Sequence, residues 1–425
     1  MRRRDPGAAL MLVVSAILVL GAALAQAGLH GSKVSSPWPS VGLLLGAFWG
    51  GWAATRLRRL PGDPLLLPLA SFLCSLGWLE VYRLGPTLNA PGLGARQALW
   101  IALGVAVFVT TVFLLGDYRG LEDYKYLCLL GGVGLQAAVM LFGTEINGAR
   151  LWFQVGSMLF QPVEIVKVLL VIFLAAFLRQ FRHWIRLGLL SPEGRLPRRA
   201  LLLLGAGWAL AEGVLVLQKD LGMALLLFGL FMSMFFLSTG RLDLVSLAGV
   251  LAAGGGWFCY RLFGHVRVRV GAWLDPFADP QGEGFQMSQA LYAMASGGLD
   301  GTGLGLGQPD LVPEAYTDFI FVAVAEELGM LGATAVLLVF MLLVARAFRV
   351  ALLAGDEFGT LLASGLATLL AWQTLIIVGG TVKLAPMTGI TLPFMSYGGS
   401  SMLANFLILG LLWRLSAVEE ARRGG

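Results

Sequence analysis

The residues that could do chemistry sit in a few short segments between long apolar stretches. The segment RVRVGAWLDPFADPQGEGFQ contains two Asp-Pro steps, at Asp275 and Asp279. Proline holds the residue before it in extended backbone, so each carboxylate projects from a stiff turn, as a fixed general base requires. Asp-Pro is equally an ordinary turn initiator. NGARLW runs into QPVEIVK and brings Arg150, Trp152, Gln161, Glu164 and Lys167 to one interface. Glu164 and Lys167, three apart, share a helix face. They make either an anion site or an interfacial ion pair beside an aromatic anchor. In LQKDLG, Gln218 and Asp220 flank a turn, with Asp220 where an N-cap would open the next helix.

Glu212, Asp318, Glu326 and Glu327 fall in nominally apolar stretches, where an acid is functional or paired, and Lys383 in GGTVKLAPMTG is a candidate partner. TLPFMSYGGSS places Ser396 and Ser400 at the mouth of the last helix, whose amides suit an anion. The run Gly301 to Gly307, GTGLGLG, follows no predicted strand and lacks the Lys-Ser/Thr of a nucleotide loop. Its glycines instead allow close backbone approach to a sugar or diphosphate. The histidines are too scattered for a Ser-His-Asp arrangement, and Cys74, Cys128 and Cys259 show no metal spacing.

The elements that must position these groups are membrane helices. Of 425 residues, 57% are hydrophobic and 13% charged, and the mean hydropathy is +0.80. Stretches long enough to cross about 30 Å of hydrocarbon fall at roughly 8–29, 39–55, 64–82, 97–115, 125–142, 161–178, 200–217, 221–238, 243–261, 317–345, 358–379 and 397–415. The expected fold is therefore all-α, a polytopic membrane bundle of about twelve helices in contact with membrane lipids. The net charge of +5 does not imply nucleic acid, because Lys and Arg gather beside apolar segments. The clusters at Arg2 to Arg4, Arg56 to Arg59, Arg179 to Arg199, Arg346 with Arg349, and Arg414 with Arg422 alternate, which predicts both termini in the cytoplasm and loop 262–316 outside. That loop is too long and too rich in aromatic residues for a plain connector.

In this order, NGARLW, QPVEIVK, LQKDLG, DPFADPQGEGFQ, LVPEAYTDFIFVAVAEELG and LAPMTGITLPFMSYGGSS resemble the signature segments of the SEDS family, which includes FtsW, RodA and SpoVE, over about residues 63–416. The resemblance implies a peptidoglycan glycosyltransferase of the bacterial cytoplasmic membrane. Such an enzyme polymerises lipid II on the extracytoplasmic face, releases undecaprenyl pyrophosphate and works with a class B penicillin-binding protein, a transpeptidase. It implies Asp279 as the catalytic carboxylate, with Asp275 second, acting as a base or as a ligand to a divalent cation, Mg or Mn. Arg150, Trp152, Lys167, Arg269, Lys383, Ser396 and Ser400 are then substrate and pyrophosphate contacts. Gln161, Glu164, Gln218, Asp220, Glu314, Thr317, Asp318, Glu326 and Glu327 are supporting residues.

Val163, Lys219, Tyr316 and Ile377 depart from the usual Ser, Pro, His and Asn. The family usually has ten helices. The expected organisation is thus two additional helices in 1–60, the core in 61–416 with the catalytic loop 262–316, and a cytoplasmic tail in 417–425. Two other classes suit the same residues: a lipid II flippase or transporter, for which intramembrane charges form a path, and a non-catalytic scaffold for a transpeptidase.

Overall fold

The computed structural model describes residues 5–29, 35–57, 62–146, 148–156, 158–187 and 198–424. The basic clusters at Arg2 to Arg4 and at Arg58 and Arg59, part of the cluster from Arg179 to Arg199, and Asn147 of NGARLW lie outside them. In chain order the helices are α1 (Pro6–Gly28), α2 (Trp38–Leu57), α3 (Leu66–Thr87), α4 (Leu93–Leu114), α5 (Lys125–Phe142), α6 (Val163–Leu187), α7 (Arg198–Leu217), α8 (Leu221–Thr239), α9 (Leu242–Leu262), α10 (Gly264–Leu274), α11 (Phe285–Gly297), α12 (Ile320–Glu327), α13 (Gly329–Leu353), α14 (Glu357–Thr381) and α15 (Gly399–Gly424).

Every predicted span has its helix, with one change. The stretch 317–345 is divided into α12 and α13 at Leu328 and Gly329, where Gly329 takes a positive φ of 67°. Seven helices, α1, α4, α5, α8, α13, α14 and α15, are long and apolar enough by themselves to cross a membrane. Others are less apolar because the bundle shelters them. α3 is buried along nearly its whole length, so it can carry Glu80 and Arg83, which lipid-facing helices cannot afford. α6 carries Glu164 and Lys167 in the same way.

Lipid supplies little drive to bring helices together, so close packing of small residues does much of the work. Gly104 of α4 faces Phe406 of α15, and Gly410 of α15 faces Thr111 of α4, with no room for a side chain at either glycine. At the end of the bundle away from Asp279, Arg346 donates to Asp63 Oδ2 (2.5 and 2.9 Å), and buried Tyr118 donates to Asp356 (2.5 Å) and Glu419 (2.7 Å).

The segment after α5 is not helical. It forms three short antiparallel strands, β1 (Thr144–Ile146), β2 (Ala149–Val155) and β3 (Met158–Phe160). β1 pairs with β2 (Glu145 opposite Arg150), and β2 with β3 (Phe153 opposite Phe160). The long loop after α9 is ordered by α10 and α11.

Candidate functional site

α10 ends at Leu274, and the chain turns through both Asp-Pro steps before α11. Asp275 is the C-cap of α10, with φ −142°, and its carboxylate accepts from Phe277 N at 3.2 Å. Asp279 is exposed on the next turn. Its Oδ1 accepts from Gly282 N (3.0 Å) and its Oδ2 from Glu283 N (3.1 Å). Both oxygens are thus fixed by backbone, which sets the direction of the remaining lone pairs toward solvent.

The two glycines after Asp279 make this geometry. A Cβ on Gly282 would strike the Asp279 carboxylate, and one on Gly284 would strike the carbonyl of Pro276. Ser288 Oγ donates to that same carbonyl (3.0 Å), so α11 fastens the turn from behind. Among the described residues Asp279 forms no ion pair. Nor does any group of three or more His, Cys, Asp or Glu converge there to hold a metal.

Below the turn, charged groups from four segments meet. Arg269 of α10 donates from Nη1 to Thr388 O (3.3 Å). Where a Cβ on Gly389 would stand, Asp318 Oδ2 is 3.4 Å away and Arg269 Nη2 3.7 Å, so the two face each other across that glycine. Burial first, then the Glu314 and Asp220 carboxylates, push Asp318 up to about 7, with Arg269 opposing. Asp220 caps α8, accepting from Met223 N at 3.1 Å as its position predicted. Burial chiefly, with Glu164 adding, raises Asp220 to about 6, while the Met223 amide and Arg269 pull it down.

Lys167 is fully buried, 2.6 Å from Glu164 Oε2, and donates to Gln373 Oε1 at 2.8 Å. Gln373 Nε2 in turn donates to Thr391 O (2.8 Å). The predicted pair is real, but it is the floor of the site and not an exposed anion contact.

Ser396 and Ser400 act as fasteners. Ser396 Oγ donates to Thr317 O (2.6 Å) and accepts from Leu392 N (2.9 Å), while Ser400 Oγ accepts from Gln161 N (2.8 Å). Gln218 Nε2 reaches Gln136 O (3.4 Å), and Thr317 Oγ1 donates to Glu314 (3.1 Å). Arg150 is exposed and paired with Glu145 (3.2 Å) on the strand hairpin; Trp152 lies half-buried on the same strand. Lys383 holds α10 through its backbone, accepting from Trp273 Nε1 at 3.1 Å.

Lys383 is not the partner of the buried acids. Of these, Glu327 is paired with Arg83, whose Nε lies 2.5 Å from it and whose Nη1 is 3.6 Å from Asp310, while Asp318 lies by Arg269. Glu327 also accepts from Gly305 N and Glu326 from Gln308 N, both at 2.8 Å. The close backbone approach expected of GTGLGLG is therefore made to α12. Reading the third span as ending at 82 put Arg83 outside the helix. A charge beside Glu80 in an otherwise apolar run was the signal that could have found it.

Fifteen helices among the described residues, seven of them long and apolar enough to cross a membrane, define the molecule as a polytopic helical membrane protein. The family model for FtsW, RodA and SpoVE, described as cell cycle protein, matches residues 66–421, so the chain belongs to that family. It is 42% identical to the peptidoglycan glycosyltransferase RodA of Mycobacterium tuberculosis over 97% of this chain and 90% of the relative. It is 33% identical to the probable peptidoglycan glycosyltransferase FtsW of Thiomicrospira cyclica over 87% of this chain and 94% of the relative. A chain from the solved structure on structural coordination of polymerization and crosslinking by a peptidoglycan synthase complex superposes with a TM-score of 0.68 at 30% identity, covering 86% of this chain and all of that one. The crystal structure of the rod shape determining protein RodA of Thermus thermophilus gives a TM-score of 0.61 at 30% identity, over 85% of this chain and 98% of that one.

Proposed function

We propose that this chain is a peptidoglycan glycosyltransferase that polymerises lipid II into glycan strands on the extracytoplasmic face of the cytoplasmic membrane and releases undecaprenyl pyrophosphate. The family and its relatives' names support the reaction class. The observation that carries the site is the Asp279 turn: a carboxylate aimed by two backbone amides, five residues beyond the helix that bears Arg269. A sugar hydroxyl of one lipid-linked disaccharide attacks the anomeric carbon of another. Asp279 takes the hydroxyl proton, and Arg269 stabilises the charge developing on the diphosphate as the glycosidic bond to it breaks. Lys167, Glu164 and Gln373 hold the floor rigid beneath that motion.

The side follows from charge. Arg56, Arg179, Arg182, Arg346 and Arg349 belong to basic clusters at the opposite end of the bundle, which the positive-inside rule puts in the cytoplasm with both termini. A class B penicillin-binding protein is the proposed partner, in line with the synthase complex that the chain resembles.

The test is purified protein with labelled lipid II, scored separately for glycan polymer and for transbilayer movement. Wild type makes polymer, and Asp279→Ala loses about a hundredfold or more of the rate, the size of a general-base contribution. Lipid movement without polymer would favour a flippase. Full polymerisation by Asp279→Ala would remove Asp279 from the site.

A further inference from the structure

Two residues, Gln218 and Lys219, separate the end of α7 from the cap of α8, and the backbone of Lys219 is left-handed, with φ 63°. Asp220 N donates to Leu215 O (2.9 Å) and Lys219 N to Val216 O (3.1 Å), a helix ending that ordinarily uses glycine. A Cβ in left-handed backbone crowds the following carbonyl, so the conformation is disfavoured for any residue but glycine. The proline usual in the family could not enter this turn at all, since its ring holds φ near −65°. Lysine is nonetheless kept there, exposed and without an ion pair among the described residues. Strain kept at a site calls for a functional reason.

The turn stands directly over the cluster around Arg269. A Cβ on Gly222, in the first turn of α8, would strike the Thr388 carbonyl, the same carbonyl to which Arg269 donates. Thr388 Oγ1 is buried with no hydrogen-bond partner. His265 lies one turn before Arg269 on the same face of α10, and its Nε2 is also buried without a partner. Burial, then the positive fields of Arg269 and Lys219, lower the pKa of His265, so the imidazole stays neutral. Arg269, a neutral imidazole and a free hydroxyl thus gather beside the turn that carries Lys219, whose charge reaches His265. Such a set suits an anion with two phosphoryl groups better than a single carboxylate, because its donors are spread over separate elements.

We infer that Lys219, together with His265 and Arg269, seats the diphosphate of the polyprenyl-linked sugar, with Lys219 as a substrate-binding residue in its own right. The identity of that ligand rests on the glycosyltransferase reading. Lys219 holds the diphosphate from the α7–α8 turn while Arg269 holds it from α10, so the two phosphoryl groups are gripped from opposite sides.

The experiment uses the purified full chain in detergent and two readouts: the Kd for farnesyl diphosphate, and the KM and kcat for lipid II. Lys219→Gly is the informative variant because it relaxes the turn, so its Tm is equal to or above wild type and any loss is not misfolding. Expected is a roughly tenfold weaker Kd and a matching rise in KM with little change in kcat, the size of one charge-assisted contact. Lys219→Arg restores both. If Lys219→Gly binds farnesyl diphosphate and lipid II as wild type does, or if Lys219→Arg fails to rescue, the seat is overturned. A wild type that binds farnesyl diphosphate through Lys219 yet makes no glycan keeps the seat and removes the glycosyltransferase reading. A wild type that polymerises with Lys219 irrelevant to both constants does the reverse.

Discussion

Asp318 and Asp220 are carboxyls that the fold keeps protonated far above their usual range, Asp318 to about 7 and Asp220 to about 6, with burial as the main cause in each. Between an unfolded pKa near 3.9 and these raised values, the native state binds more protons than the unfolded chain, so stability falls as pH rises. This is the reverse of a salt-bridged carboxylate. The expected outcome is a Tm in detergent that climbs as pH drops from about 7 toward 4, over the window those two values define, with a shallower climb in Asp318→Asn. A slope unchanged by that substitution would place the titration elsewhere. Asp318 and Asp220 were legible as residues of the site from their motifs. Their protonation was not, because it depends chiefly on burial in the bundle and then on groups such as Glu164 and Arg269 that other segments bring. The Asp279 turn was more fully legible, since the proline before Gln281 and the glycines at 282 and 284 are local and each has a local steric reason.

The helix over 317–345 was misread from the sequence as unbroken, and its failure has a physical cause. Glu326, Glu327 and Gly329 interrupt the apolar run too briefly to end a span read from hydropathy. The backbone groups freed at Leu328 and Gly329 are satisfied from the long loop: Thr302 N donates to Glu326 O (2.9 Å), Gly303 N to Glu327 O (3.0 Å), and Met330 N to Gly298 O (3.0 Å). Arg83 clamps this arrangement, also donating to Gly307 O, with 3% of its side chain exposed against 0% for Glu327. Glu80, one turn earlier on α3, is buried as well, so removing the guanidinium would strand two carboxyls. Arg83→Leu should therefore destabilise by about 3–5 kcal/mol, the usual effect of breaking a buried pair from one side. Arg83→Leu with Glu327→Leu should recover much of that loss, because no uncompensated charge remains on Glu327. Thermal unfolding of the two single variants and the double variant gives the coupling directly. Additive effects would mean that the pair is not what holds the loop to α12.

At the scale of the molecule, the two helices before the family core were legible as helices but had no readable role. The structure gives them a place. α1 lies on α3, with Gly21 against Leu79, and α2 lies on α4, with Gly51 against Val105. Trp49 Nε1 donates to Ser15 Oγ (3.0 Å) between them, and Arg56 pairs with Asp5 at one end. At the other end Gly28 touches the backbone of Gly305, in the glycine run that Glu327 and Arg83 hold against α12. α1 is thus a wall for the reactive loop. An alignment over 97% of the chain to the RodA of Mycobacterium tuberculosis runs through most of both helices, so that relative has a segment that matches them.

Faces of α3 and α4 uncovered by deleting residues 1–57 would meet lipid instead of protein, and lipid is nearly as good an apolar neighbour. The core should therefore still insert and purify as a folded monodisperse species. What it loses is the contact at Gly305, so the segment 301–307 should become sensitive to limited proteolysis and the polymerisation rate should fall although Asp279 is intact. A shortened chain with wild-type rate and an unchanged cleavage pattern would reduce α1 and α2 to a passive addition. Inserting bulk at the contact alone, by Gly28→Leu, should reproduce the loop's sensitivity without removing any helix, since a Cβ there would already lie 3.2 Å from the Gly305 backbone.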